Sequence, residues 1–180
     1  MTDTFMADAP QIPDVTAAEP IPASAMSEVN RILGNGDLYR YTTADSPVTQ
    51  LESEFAAKIG SRYALAVSSC SAALFLSLMA LDLPSGAKVM IPAFHFVEVP
   101  SAVDHADCVP VLCECRSNYR IDLEDFHRKL SGVDAVLISH MRGHTSDMDA
   151  IMAACDAAGI PVVEDAAHSL GTTWDGRMIG

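Results

Sequence analysis

"DAVLISHMRGHTSDMDAIMAACDAAGIPVVEDAAHSLG", residues 134–171, decides the fold. Residues 134–139 are a short apolar run. Asp147 then stands where a helix N-cap belongs, and Gly159 follows "MDAIMAACDAA" where a helix would stop. A second apolar run, "PVVED", comes at once. The order is strand, helix, strand. Both strands are continuous apolar runs rather than alternating ones, which suits a parallel sheet buried on both faces by helices.

The same alternation extends toward the N-terminus. "PVTQLESEFAAKIG" (47–60) sets Val48, Leu51, Phe55 and Ile59 at helical spacing before a stop at Gly60. "YALAVS" (63–68) predicts a strand, and "SAALFLSLMALDL" (71–83) a helix ahead of Pro84-Ser85-Gly86. "KVMIP" (88–92) predicts a strand, and "VEVPSAVDHAD" (97–107) a helix with Pro100 near its first turn. "VPVLCE" (109–114) predicts a strand, and "DLEDFHRKL" a helix capped by Asp122. The expectation is an α/β domain of five strands, mostly parallel, with helices on both faces. Residues 1–25 differ. They hold Pro10, Pro13, Pro20 and Pro22, four acids and no Lys or Arg, which predicts a flexible acidic arm before a domain over 26–180.

Composition narrows the function. A formal net charge of −13 argues against nucleic acid and anionic membranes as partners, since neutralising phosphates takes clustered cations. No apolar run approaches the ~20 residues of a membrane helix, and residues 1–25 lack a signal peptide's basic and apolar regions. A cytoplasmic protein is expected. The five cysteines, Cys70, Cys108, Cys113, Cys115 and Cys155, then read as reduced thiols. Cys113 and Cys115 form a C-x-C without a second pair, so no metal site is expected.

In parallel sheets, ligands collect at the carboxyl ends of strands. Four such ends are unusual. At "VSSCSAAL" (67–74) a strand runs into a helix whose N-terminal N–H groups, with Ser69 and Ser71 beside them, suit a phosphate or a plain Ser N-cap. At "PAFHFV" (92–97), Phe94 and Phe96 suit either stacking on a planar ligand or the core. "SHMRGH" (139–144) offers Arg142 and two histidines, with Gly143 opposing a metal-binding helical turn. At "VVEDAAHSLG" (162–171), Asp165 at a strand end suits either a helix N-cap or a cationic partner such as a protonated ring nitrogen.

From about Gly36 to Gly180 the chain resembles the DegT/DnrJ/EryC1/StrS family of pyridoxal-phosphate-dependent aminotransferases, of the aspartate-aminotransferase fold type I. The resemblance is carried by "LESEFAAKIGSRYALAVSSCSAAL", "IPAFHFVEVPSAV", "SHMRGHTSDMDAI" and "VVEDAAHSLGTTWDGRMIG". It implies pyridoxal 5'-phosphate as cofactor. It assigns the backbone N–H groups of Cys70 and Ser71, with the Ser71 hydroxyl, to the cofactor phosphate. It assigns Phe96 to stacking on the pyridine ring, Asp165 to the ring nitrogen, and His168 to the neighbourhood of the ring hydroxyl. Cys70 replaces the usual Gly, and His95 the usual Thr.

The family's Schiff-base lysine lies beyond the Asp-x-x-His/Gln motif, and Lys58, Lys88 and Lys129 are the only lysines here. All three fall away from the expected site. No catalytic residue is therefore assigned within these residues, and 26–180 is expected to be an incomplete large domain. The first expectation is the N-terminal subunit of a split aminotransferase. A partner carrying the C-terminal half would supply the lysine in a hetero-oligomer. The complex would move an amino group from a small-molecule donor to a keto or aldehyde acceptor, such as a nucleotide-linked keto-sugar. The alternatives are a non-catalytic scaffold or regulatory subunit, and a remnant without function.

Overall fold

The computed structural model describes residue 14 and residues 17–40 and 43–180. Most of the expected acidic arm lies outside them. The described chain forms two compact units, residues 1–50 and 51–180. The first contains α1 (Ala23–Asn35), which begins within the stretch assigned to the arm and closes on Gly36. The division falls inside α2 (Pro47–Ile59).

The second unit is built on a four-stranded parallel sheet. Its strands are β1 (Lys88–Pro92), β2 (Val109–Cys113), β3 (Ala135–Ser139) and β4 (Val162–Asp165), in the order β2-β1-β3-β4. The central pair is the most apolar, and β3 is buried at every position. The edge strand β2 is not the continuously buried run its sequence suggests, for Val109 and Leu112 are about half exposed.

Side chains alternate across the central strands, as the two-residue period demands. Met90, Val136 and Ile138 join Phe126 and Leu130 of α5 (Leu123–Leu130) and Ile151 and Cys155 of α6 (Met148–Ala158). Val89, Ile91, Ala135 and Leu137 pack instead with Leu74 and Leu78 of α3 (Cys70–Ala80) and Val99 and Val103 of α4 (Glu98–His105). Helices thus cover both faces, as the continuous apolar runs predict. Each fully buried Leu, Ile or Val adds about 1.5–3 kcal/mol.

Helix ends follow the sequence signals. Asp122 caps α5 by accepting from the N–H groups of Glu124 and Asp125, and Asp147 caps α6 through Ala150. Gly159 ends α6 at φ 68°, a left-handed conformation that other residues take at a cost.

One strand expectation is corrected. Residues 63–68 join no ladder. Tyr63 and Leu65 are largely exposed, and the Ala66 N–H donates to the Glu52 carboxylate at 2.7 Å. A strand needs a neighbour to take its N–H and C=O groups, and no strand lies beside this one among the described residues. A feature absent from the sequence reading is the hairpin of β5 (Thr173–Trp174) and β6 (Arg177–Met178). Its two-residue turn, Asp175-Gly176, has φ 46° and 77°, the paired positive values that Asp-Gly supplies in hairpins.

Candidate functional site

Because the sheet is parallel, the ends of β1, β3 and β4 open on one edge of the molecule. The N-terminus of α3 meets them there. Cys70, Ser71, Phe96, Asp165 and His168 line one pocket of about 180 Å³, together with Glu98 and Met141 among others. The five residues singled out from sequence, spread over a hundred positions, therefore converge.

Asp165 forms the buried wall of this pocket, at 7% exposure. Its Oδ2 accepts the Ser139 hydroxyl at 2.7 Å. Its Oδ1 accepts the Ala167 N–H at 3.1 Å and lies 3.8 Å from the Cys70 thiol. No α-helix follows Asp165, so it anchors a turn and is not a helix N-cap. Burial first, and then the Asp165 charge, push the Cys70 thiol up. It therefore stays protonated and donates.

At the α3 terminus the N-cap is Ser69, whose hydroxyl accepts the Ala72 N–H at 3.1 Å. The N–H groups of Cys70 and Ser71 lie ahead of that bond, in the first turn, where no intrahelical acceptor exists. The Ser N-cap is realised, and it leaves the Cys70 and Ser71 N–H groups for another acceptor.

Phe96 is 58% exposed, and Phe94 lies at the surface too. The core reading of these two rings is overturned. Phe94 stacks on Tyr119 at 4.8 Å between centroids, and Tyr119 in turn meets His144 at 5.5 Å. This three-ring cluster was missed from sequence, since its members are far apart in the chain.

His168 Nδ1 accepts the Arg142 N–H at 3.3 Å, so the neutral ring carries its hydrogen on Nε2. Arg142 holds φ 55°, and at Gly143 an added Cβ would lie 3.2 Å from the His168 carbonyl oxygen. Gly143 therefore permits the close approach of the two loops. His140 is buried, with Nε2 3.1 Å from a Glu164 carboxylate oxygen. Glu164 thereby gains a partner and leaves the pocket to Asp165.

A model of the DegT/DnrJ/EryC1/StrS aminotransferase family matches residues 21–180. The chain belongs to this family. It is 36% identical over 157 residues to the spore coat polysaccharide biosynthesis protein SpsC of Bacillus subtilis (strain 168), covering 86% of this chain and 39% of SpsC. The solved 3-amino-5-hydroxybenzoic acid (AHBA) synthase is 30% identical with a TM-score of 0.84, covering 96% of this chain and 44% of that one. The E. coli GDP-4-keto-6-deoxy-D-mannose-3-dehydratase, solved with bound hydrated PLP, shares the fold at a TM-score of 0.80 and 23% identity, over 91% of this chain and 43% of that one. The chain spans about two-fifths of the length of these relatives. Within this family, the architecture is the N-terminal part of a fold-type-I large domain.

The residues present fit a cofactor of this kind. A buried carboxylate, a helix terminus with unpaired N–H groups and an exposed aromatic face surround one cavity. The three lysines do not line it. Lys58 lies on α2, Lys88 begins β1 at the opposite end of the sheet, and Lys129 bonds Asp125 at 2.7 Å. Among the described residues no cluster of His, Cys, Asp and Glu is placed to hold a metal, and no helix is long and apolar enough to cross a membrane.

Proposed function

We propose that these residues form the cofactor-binding half of a pyridoxal-phosphate-dependent aminotransferase site, and that a partner chain with the family's C-terminal half supplies the lysine. The observation that carries this reading is the convergence of Cys70, Ser71, Phe96, Asp165 and His168 on one pocket. The position of the three lysines away from it supports the need for an outside amine. Pyridoxal phosphate, when bound, supplies an electron sink for amino-group exchange.

This chain's own residues bind and orient. The Cys70 and Ser71 N–H groups, at the positive end of α3, hold the phosphate. Phe96 covers one ring face. Asp165, anchored by Ser139 and Ala167, would hold a proton at the ring nitrogen. His168 presents its Nε2 hydrogen toward the ring hydroxyl. The substrates are a small-molecule amino donor and a keto or aldehyde acceptor. The similarity to a polysaccharide-biosynthesis protein favours a nucleotide-linked keto-sugar. We place the hetero-oligomer in the cytoplasm, where five free cysteines stay reduced.

Borohydride reduction of the assembled, cofactor-loaded complex, followed by mass spectrometry of each polypeptide, tests this. The cofactor mass is expected on the partner and not on this chain. Cofactor fixed to Lys58, Lys88 or Lys129 in a fully active preparation would sink the two-chain site. An assembly that binds no cofactor would favour the scaffold reading instead.

A further inference from the structure

Asp165 has more partners than holding a ring nitrogen requires. Ser139, its ladder neighbour across β3 and β4, is itself buried and gives its hydroxyl hydrogen to Oδ2 at 2.7 Å. That donor is placed by the backbone pairing of two strands and not by a loop. Ser139 does not line the pocket, so it acts only through Asp165. A carboxylate offers about four lone-pair sites. Oδ1 faces two donors, the Ala167 N–H and the Cys70 thiol, whereas Oδ2 has one. The open acceptor site is therefore on Oδ2.

We propose that Ser139 is the positioning residue of this site: its hydroxyl fixes the plane of the Asp165 carboxylate so that the remaining lone pair of Oδ2 receives the cofactor's ring N–H. This rests on the reading that the pocket takes pyridoxal phosphate. Cys70 plays a lesser part, since a thiol at 3.8 Å is a weak donor. The Ser139 bond is short and charge-assisted, and such bonds are the strong ones.

The test uses the full chain assembled with the partner that carries the C-terminal half, and pyridoxal phosphate labelled with ¹⁵N in its ring. Affinity is followed by cofactor fluorescence, and ring protonation by the ¹⁵N shift. Two variants remove the hydroxyl. Ser139→Ala deletes it, and Ser139→Cys keeps nearly the same shape with a weak donor. Both are expected to weaken binding about ten-fold or more, the scale of a hydrogen bond to a charged group. Both should also move the ¹⁵N signal toward neutral pyridine, while Ser139→Thr keeps the wild-type shift. A wild-type shift and affinity in folded Ser139→Ala or Ser139→Cys overturns the proposal and leaves the cofactor reading standing. Loss of both in folded Ser139→Thr overturns it too, by assigning the effect to packing. A wild-type assembly that binds no pyridoxal phosphate overturns the cofactor reading itself, and this proposal with it.

Discussion

Single side chains on this framework do two different jobs. Asp165 lines the pocket, whereas the buried Asp125 spends its charge on the fold. Asp125 accepts the Glu114 N–H at 2.8 Å and the Lys129 ammonium at 2.7 Å, and pairs with Arg128. The Glu114 N–H chiefly, and then Lys129, hold its carboxyl down at about 2, below the ordinary 3.8. A depressed folded value means stability that is complete above the unfolded value and lost as pH falls toward the folded one. Asp125→Asn is therefore expected to lower stability at pH 7 by about 1–3 kcal/mol. Denaturant melts of both proteins should show that gap constant at neutral pH and closing from the ordinary 3.8 down to about 2. A gap unchanged at low pH would show that charge is not the cause. Legibility at this scale was uneven. Asp165 and His168 stand in one compact motif, so the sequence displays them. Ser139 and Tyr119 matter only through neighbours that chain order does not reveal.

Elements were legible where they were long enough to show a period. Every helix from α2 to α6 and all four ladder strands match an apolar run or a capping residue. The β5–β6 hairpin has two-residue strands, too short for periodicity, and only Asp175-Gly176 betrays it. Residues 63–68 make the opposite case. Their composition predicts a strand, but pairing needs a second strand. The amides of Ala64, Leu65 and Val67 are therefore expected to exchange with solvent orders of magnitude faster than those of Met90 and Leu137, as measured by hydrogen-exchange NMR. Protection equal to that of β1 would show that the segment is already paired.

At the scale of the whole molecule, exposed apolar surface stands against a high net charge. Leu51, Phe55, Ile59, Tyr63 and Leu65 line an open groove of about 530 Å³. It is larger than the pocket around Asp165, and among the side chains lining it only those of Glu52 and Tyr63 are ionisable. Its Leu51, Tyr63 and Leu65 are each more than half exposed. Patches of this kind mark contact surfaces. The isolated chain is expected to elute as an oligomer despite its −13 charge, and Leu65→Lys should shift it toward the 19.2 kDa monomer. Size-exclusion chromatography with light scattering decides this. A monomeric wild type would remove the groove from consideration as a contact surface.

The strand order β2-β1-β3-β4 also carries a history. β1 is made first, β2 joins one side of it, β3 the other, and β4 lies outside β3. Each strand, in the order the ribosome delivers it, adds to a free border. None has to wedge between two already joined. The sheet can accordingly grow during translation without undoing any earlier pairing. Of the four sheet strands among the described residues, the last laid down is the one ending in Asp165, beside the hydroxyl of Ser139. The acid reaches its post only after the platform under it has been built.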